Sequence, residues 1–258
     1  MVTNKIIESE DKLRVINIGL DGFAKDMRQQ DVSVVDVDWY PPADGDPNLN
    51  EILKTINFDQ DLLKRINNAN KMVIERVKNA NPQIVDIDSA TEALELPIHT
   101  ILYSGPLIEW DRMCGPQKRA VLGAIQFEGW ADDEDGAIKL LKKDKITLLP
   151  SHQYNAVGPM TGIISPSMPV LVTKNEPYGN YGFSTFNEGR GNTLWFGIYD
   201  MGTLDRLNWI RDTLGPAMKA AVKIHGPINV FDIVEQGLQM GDECHARHAA
   251  STALLIKQ

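Results

Sequence analysis

Cysteine, basic residues and long apolar stretches are all scarce in this sequence. Two cysteines in 258 residues cannot form the disulfide framework of a small secreted domain. The 35 acidic residues outnumber the 26 lysines and arginines, so the net charge of -9 excludes the broad basic face that nucleic acids and anionic membranes bind. No apolar stretch approaches the roughly 20 residues that span a bilayer, and the polar first twelve residues lack the apolar segment of a signal peptide. We therefore expect a cytoplasmic protein without nucleic-acid or membrane partners.

What the chain does contain is the composition of an ordinary globular protein, with 43% hydrophobic and 24% charged residues. Its length allows one large domain or two modest ones at about 100 to 200 residues each. The order of the predicted strands and helices indicates an α/β protein. We expect a Rossmann-like N-terminal unit over residues 1–98 and a mixed α+β domain over residues 99–258.

The N-terminal unit begins with a strand–helix–strand pattern. Residues 13–20 are rich in β-branched residues and predict a buried strand, which a short helix connects to a second strand ending near Trp39. The glycines Gly19 and Gly22 do not match the G-x-G-x-x-G spacing of a dinucleotide site, which favours a packing unit without a cofactor. Apolar residues recur at helical spacing over residues 62–77 and predict a packed amphipathic helix.

The second domain has helices and short strands separated by polar loops. Pro116 is typical of a first helical turn, and we expect that helix to run to about Trp130. Residues 181–186 and 192–199 predict two strands joined by the loop 187–191. The acidic run 132–135 precedes a lysine-rich helix, so it indicates helix capping rather than a metal site.

A glycine turn after a predicted strand is the first candidate site. Gly158 and Gly162, with Met160 and Thr161 between them, would let backbone N–H groups approach an anion. His152 stands just ahead of this turn as either a proton carrier or a structural histidine. Its neighbour Asn155 could orient a substrate amide or carbonyl.

The loop at residues 185–192 is the second candidate, and it has two interpretations. It is either a hairpin connection with solvated charges or an anion site in which Arg190 binds a carboxylate or phosphate through two parallel hydrogen bonds. Asn187 and Glu188 would contribute to the same site.

The segment MGDECHARH is the densest cluster of polar side chains. His245 beside Glu243 could perform general acid/base chemistry, because a neighbouring carboxylate holds the imidazole tautomer. Asp242 would cap the last helix, and together with His245 and His248 it is the alternative metal site. Arg247 is a further candidate anion ligand. We predict no bound metal, because the spacing is not that of a known motif.

Arg112 and Cys114 precede the helix that begins near Pro116. Arg112 is a candidate anion ligand, and a thiol at a helix N-terminus can act as a nucleophile. The alternative that we favour for Cys114 is a buried small hydrophobic residue.

Long blocks of the sequence resemble the YahG/YlbE-like family of bacterial proteins. The resemblance covers nearly the whole chain and is carried by the strings RMCGPQKRAVLGAIQFEGWA, HQYNAVGPMTGIISPSMPV, TFNEGRGNTLWFGIYD, LNWIRDTLGPAM and MGDECHARHAAST. Members of that family run on past the equivalent of Gln258, which implies that this chain is shortened at its C-terminus. The last apolar stretch, TALLIKQ, agrees with this because it has no glycine or proline stop signal.

The resemblance implies a subunit of a carbamoyltransferase. Its reaction would be the phosphorolysis of oxalurate to oxamate and carbamoyl phosphate in anaerobic allantoin breakdown, without an organic cofactor. The implied partners are these small anions, an FdrA-like subunit and further copies of the chain. A non-catalytic scaffold subunit and a metal-dependent hydrolase remain the two alternatives.

Overall fold

The computed structural model describes residues 13–186, 191–244 and 248–258. The chain divides into two compact units, residues 1–75 and 76–258, which are taken separately below. This division lies ahead of residue 98, where the sequence predicted a boundary, so the strand at residues 82–89 is part of the second unit. In the described ranges, no helix is long and apolar enough to cross a membrane.

The first unit contains the predicted strand–helix–strand pattern. Strands β1 (Arg14–Ile18) and β2 (Ser33–Val37) pair in parallel, and helix α1 (Asp21–Gln29) connects them. Helix α2 (Pro47–Phe58) follows, and helix α3 (Gln60–Lys78) runs past the end of the unit. Because the described sheet has two strands, a Rossmann-like sheet stays a prediction.

Burial in the first unit differs from what the sequence predicted. Ile16 and Ile18 in β1 are 68% and 62% exposed, and their partners Val35 and Val37 in β2 are also exposed. The prediction of a buried strand is therefore wrong, since β1 has no buried residue and Ala24 is the one buried residue of the connecting helix α1. None of the residues of α3 is buried, so the predicted helix is present but is not packed as expected.

The second unit holds two sheets. The larger has the strand order β10-β3-β8-β9-β6, and the smaller has the order β5-β4-β7. Their bounds are β3 (Pro82–Ser89), β4 (Thr100–Tyr103), β5 (Thr147–Pro150), β6 (Ala156–Val157), β7 (Ile163–Ile164), β8 (Pro169–Asn175), β9 (Asn180–Thr185) and β10 (Ile228–Asn229). The pairs β4–β5 and β6–β9 are parallel, and the remaining pairs are antiparallel.

The helices of this unit surround a substantial apolar core. They are α4 (Ala90–Leu94), α5 (Gly115–Phe127), α6 (Glu134–Lys142), α7 (Met201–Trp209), α8 (Gly215–His225), α9 (Val230–Gln239) and α10 (Ala249–Lys257). Helix α5 lies in the main core, with Val121 and Ile125 fully buried. Asp133 caps α6 by accepting the Gly136 N–H at 2.7 Å, which confirms capping by the acidic run.

Residues 192–199 do not form the predicted strand. Leu194–Phe196 is a single 3-10 turn, and Gly197 follows with a positive φ of 75°. Leu194 is 1% exposed and packs into the main core, so tertiary contacts override the β propensity of this segment. In the described residues β9 pairs with β8 and β6, so the predicted partner strand is absent, and the connection 187–190 itself lies outside the described residues.

Candidate functional site

Two pairs of parallel strands end close together in the second unit. Strand β4 leads into Ser104, and strand β6 leads into Gly158. The Ser104 N–H donates to the Gly162 carbonyl at 3.1 Å, which joins the loop after β4 to the glycine turn after β6. A Cβ atom at Gly158 would lie 3.5 Å from Ser104 Oγ, so the two loops are in contact there as well.

Helix α5 holds the loop after β4 in place. The buried Gln117 side chain donates from Nε2 to the Ser104 carbonyl at 2.8 Å. Tyr103, which is fully buried, accepts the Ile108 N–H at its hydroxyl oxygen at 2.9 Å. Both ends of the 104–108 loop are therefore fixed by side chains from the core, because a buried polar group is costly unless it is hydrogen-bonded.

The turn at residues 193–197 lies directly on the first turns of α5. A Cβ atom at Gly197 would lie 2.6 Å from the Pro116 carbonyl oxygen, so no other residue fits at this approach. The Arg119 Nε–H donates to the Gly197 carbonyl at 3.1 Å. The Thr161 hydroxyl donates to the Trp195 carbonyl, which connects the glycine turn to the same place. Three loops thus converge on the beginning of α5.

Further along α5, a second glycine permits the same close packing. A Cβ atom at Gly123 would lie 2.4 Å from a Leu194 methyl carbon and 2.6 Å from the Tyr199 Cβ. Segment 194–199 can lie against α5 only because this position has no side chain.

An open hollow of about 210 Å³ lies where these loops meet. Its lining is Val157, Gly158, Pro159, Ser184, Thr185 and Trp195. A smaller apolar cavity of about 40 Å³ shares Pro159, Thr185 and Trp195 with it and extends toward Leu207 and Ile210. We call the larger space the open hollow and the smaller one the inner cavity. The open hollow is smaller than the roughly 300 Å³ at which drug-sized sites begin, so it suits a small metabolite.

The charged groups near this junction lie outside the lining. The Tyr199 hydroxyl donates to Glu134 Oε2 at 2.6 Å. Burial, and then this hydrogen bond to a carboxylate, raise the pKa of Tyr199 to about 12, while the positive charge of Arg119 opposes the rise. Tyr199 is therefore protonated at neutral pH and acts as a hydrogen-bond donor rather than as a base.

A carboxylate supports the segment between the glycine turn and β8. Glu128 Oε1 accepts hydrogen bonds from the Ser165 hydroxyl at 2.5 Å, the Ser167 N–H at 2.9 Å and the Ser167 hydroxyl at 3.0 Å. Ser165 is fully buried, so this carboxylate satisfies a hydroxyl that water cannot reach. Met168 and Pro169, which line the inner cavity, follow directly.

The predicted glycine turn lies at the site, but only some of its residues line the two spaces. Gly158 and Gly162 line the two spaces. Thr161 lies in the left-handed region at a φ of 64° and makes the contact with Trp195 described above. Met160 is 86% exposed and lines neither space.

His152 and Asn155 lie beside this site without lining it. His152 is exposed in the 3-10 turn Ser151–Tyr154, directly after β5. Asn155 is exposed with a positive φ of 52°, and its carbonyl accepts the Phe183 N–H at 3.0 Å. Neither side chain is among the lining residues of the two spaces.

Arg112 and Cys114 lie on the approach to α5. Arg112 is exposed and ends the 3-10 turn Trp110–Arg112, and Lys118 Nζ donates to the Asp111 carbonyl in that turn at 2.9 Å. Cys114 is the N-cap residue of α5 and is exposed, so the interpretation as a buried hydrophobic residue is wrong. Neither residue lines the two spaces.

Asp242 does cap the last helix, but across a longer connection than predicted. Its carboxylate accepts the N–H groups of Ala250 at 3.3 Å and Ser251 at 2.7 Å. These bonds, with that of Ser251 N–H first, lower the pKa of Asp242. Helix α10 begins at Ala249, and His248 is its N-cap residue.

The other residues of the predicted clusters can be placed only in part. Glu243 is exposed. No group of three potential metal ligands occurs in the part of the chain that the structure describes. His245 and Arg247 lie outside the described residues, as do Asn187, Glu188 and Arg190. Their predicted roles stay predictions.

Sequence reasoning missed Arg119, Thr185 and Trp195. Arg119 lies one turn after Gly115, and a Cβ atom at that glycine would be 3.4 Å from the guanidinium nitrogen Nη1. Because Arg119 follows Pro116 by three residues, the sequence could have indicated a cationic side chain near the first turn of the predicted helix. Trp195 gave no such signal, because its segment resembles a strand.

Comparison with known proteins finds a family model that matches the part of the chain that lines the open hollow. Residues 146–258 match the family model described as oxamate carbamoyltransferase subunit AllG. The match supports the family that the sequence blocks predicted, and the matched residues include every residue that lines the open hollow.

Two curated proteins of Escherichia coli K12 are similar to the chain. The uncharacterized protein YahG is 40% identical over 246 residues, which are 95% of this chain and 52% of YahG. The oxamate carbamoyltransferase subunit AllG is 42% identical over 195 residues, which are 74% of this chain and 46% of AllG. The chain thus spans about half the length of the curated relatives that it matches.

A solved structure shares the fold. The crystal structure of a conserved protein of unknown function from Enterococcus faecalis V583 superposes with a TM-score of 0.73 at 39% identity. The match covers 76% of this chain and 47% of that protein.

Proposed function

We propose that this chain is a subunit of a carbamoyltransferase that converts oxalurate and phosphate to oxamate and carbamoyl phosphate. The observation that carries this proposal is the match of residues 146–258 to the AllG family model, together with a small hollow lined by residues of that match. The name of the AllG relative supplies the reaction class, and the size of the hollow supports a small ligand.

The reaction requires two anions to be brought together. A phosphate oxygen forms a bond to the carbamoyl carbon, and the bond from that carbon to the amide nitrogen of oxalurate breaks. The nitrogen takes a proton and leaves as the primary amide of oxamate. The protein must therefore hold the phosphate and the carboxylate, stabilise negative charge on the carbonyl oxygen, and deliver one proton.

Arginine side chains are the proposed ligands of the two anions. Arg119 lies where the three loops meet, and we add it to the predicted ligands Arg112, Arg190 and Arg247. Guanidinium groups suit this task because they bind carboxylate and phosphate oxygens through paired hydrogen bonds. The Gly158–Gly162 turn would contribute backbone N–H groups.

The proton and the carbonyl need further groups. His152 and His245 are the proposed proton carriers, with Glu243 beside His245. Asn155 and Asn187 are the proposed partners of the carbonyl or amide. The proposal includes no organic cofactor and no metal, with Asp242, His245 and His248 as the alternative metal ligands.

The proposal extends to the setting of the reaction. It places the chain in the cytoplasm, in allantoin breakdown, together with an FdrA-like subunit and further copies of itself. A Rossmann-like arrangement of the N-terminal unit is part of the same proposal, since a parallel β1–α1–β2 unit is present.

The test is phosphate-dependent cleavage of oxalurate by the purified chain with its FdrA-like partner, measured as the formation of carbamoyl phosphate. We expect Arg119→Ala to lower kcat/KM by about tenfold or more, because a charge-assisted hydrogen bond is worth about 1.5–3 kcal/mol. Lys118→Ala, one position earlier on the same helix, is the matched control and should retain activity.

Three results would contradict the proposal in different ways. Complex formation without turnover would favour a scaffold subunit. Oxalurate cleavage that does not require phosphate but requires one bound metal per chain would favour the hydrolase. Equal activity of the Arg119 and Lys118 variants would remove Arg119 from the site while leaving the reaction in place.

A further inference from the structure

Large apolar side chains are exposed to solvent on the three loops that meet at the open hollow. Met160 in the glycine turn is 86% exposed, and Leu107 in the loop after β4 is 72% exposed. Val157, which lines the hollow, is 63% exposed, and Phe196 is 56% exposed with its ring centre 5.0 Å from that of Trp195. We call Leu107, Val157, Met160 and Phe196 the apolar rim. Single exposed apolar residues are ordinary on a protein surface, but a group of them around one recess indicates an interaction surface.

The backbone holds Met160 in its exposed position. The Gly162 N–H donates to the Pro159 carbonyl at 2.8 Å, which closes a four-residue turn with Met160 and Thr161 at its centre. Thr161 has a positive φ of 64°, which is unfavourable for a β-branched residue and persists only where the surroundings impose it. The bond from the Thr161 hydroxyl to the Trp195 carbonyl imposes it here. A strained and firmly held turn therefore presents an apolar side chain to solvent.

The apolar rim and the lining of the open hollow contain no charged side chain among the described residues. Arg119, which donates to the Gly197 carbonyl, belongs to neither set. The chain as a whole has a net charge of -9, so two copies repel each other over much of their surface. An uncharged apolar surface is a place where two copies can meet without bringing like charges together.

A second copy of the chain fits this surface because the surface is complementary to itself. It has a projecting apolar side chain, Met160, next to a mainly apolar recess, the open hollow. Around a two-fold axis, each copy can place its own Met160 in the hollow of the other, which gives a closed dimer. The unbranched and flexible methionine side chain suits such a contact. A stable dimer buries about 800 Å² on each copy, so the interface extends over all three loops.

We infer that the apolar rim is an interface between two copies of the chain, in which Met160 of each copy covers the open hollow of the other. The second copy then contributes a residue to the site, and the side of the hollow that is open to water becomes closed. The inference deepens the proposed function, which includes further copies of the chain, and it rests on that function only for the ligand that the closed hollow holds.

Sedimentation equilibrium of the purified chain tests whether the interface forms. We expect a dimer at micromolar concentration. Met160→Asp should raise its dissociation constant by about tenfold or more, because a carboxylate would be buried without a cation. Met160→Leu keeps an apolar side chain of similar volume and should retain the dimer. Ile224→Asp is the control, because Ile224 is 88% exposed in α8 and lines neither space.

Cross-linking tests whether Met160 reaches the hollow of the other copy. Chains with Met160→Cys are mixed with chains that carry Ser184→Cys, because Ser184 lines the hollow. In both, the exposed Cys114 and Cys244 are replaced by serine. We expect a short thiol-to-thiol cross-linker to produce a covalent dimer with one chain of each kind, identified by its mass. Ile224→Cys in place of Met160→Cys should give no such dimer.

Three results would overturn the inference: a chain that sediments as a monomer at about 100 μM, equal weakening of the dimer by Met160→Asp and Ile224→Asp, or a mixture without cross-linked pairs. These outcomes are distinct from failure of the proposed function. A dimer that does not form carbamoyl phosphate leaves the interface standing and removes the reaction. Formation of carbamoyl phosphate by a chain that stays monomeric does the reverse.

Discussion

The two units of this chain differ in how much apolar surface they bury. In the first unit, the described residues include one buried hydrophobic side chain, Ala24, while Ile16 and Ile18 of the sheet are mostly exposed. The second unit has three clusters of buried hydrophobic residues. Parallel strands in proteins are normally covered on both faces. The comparison teaches that a sequence can specify a strand–helix–strand unit locally without that unit burying its own surface.

The candidate site lies in the second unit, the one with the larger apolar core. All of its contacts lie in the second unit, where Tyr103, Gln117 and Glu128 hold the loops from a packed core. A site requires such support, because loops that are not fixed by buried groups cannot hold ligand atoms in place. We therefore expect substitutions in the two units to differ in effect by a large margin.

The largest expected difference is between two isoleucines. Ile125 is fully buried in α5 and Ile16 is 68% exposed in β1. Ile125→Ala should lower the free energy of unfolding by about 2–5 kcal/mol, since it removes buried methyl groups and leaves a cavity. Ile16→Ala should change it by no more than about 0.5 kcal/mol. Urea unfolding followed by circular dichroism measures both, and similar losses would break the comparison.

Removal of the Glu128 carboxylate should have the next largest effect. Glu128→Ala leaves the buried Ser165 hydroxyl without its acceptor, which we expect to cost about 1–3 kcal/mol of unfolding free energy. Glu128→Gln keeps an acceptor and serves as the control. Thermal unfolding of both variants is the measurement, and an alanine variant as stable as the glutamine variant would show that the network does not hold this segment.

The smallest expected effect is a pH dependence at the cap of α10. The Ser251 N–H lowers the pKa of Asp242 below its ordinary value of 3.8, so the charged form stabilises the fold. That contribution is complete above pH 3.8 and is lost as the pH falls through the lowered pKa. Asp242→Asn cannot titrate, and its stability difference from the natural protein should shrink between pH 6 and pH 3. A difference that stays constant over this range would argue against the cap.

Sequence reasoning identified the elements whose patterns are local. Strand β9 and helix α5 were predicted because strand propensity and a proline at a first helical turn act over a few residues. The glycine turn at 158–162, which was predicted as an anion site, contributes lining residues to the two spaces, and its role in binding stays a prediction.

The remaining features depend on contacts between distant residues. The turn at 193–197 resembles a strand in sequence, and it forms a turn because Leu194 packs into the core and Gly197 meets Pro116. Trp195 becomes a lining residue only once that turn has formed. No local pattern carries this information, which explains why this part of the site was missed.

Because Gly123 has no side chain, α5 and the segment 194–199 are in direct contact at this position. That contact sets how close Trp195, which lines both the open hollow and the inner cavity, lies to α5. A methyl group added at position 123 would push the segment 194–199, and Trp195 with it, away from α5, although position 123 itself lines neither space. Position 123 is therefore a place from which the lining of the site can be shifted within the core, by side-chain volume alone.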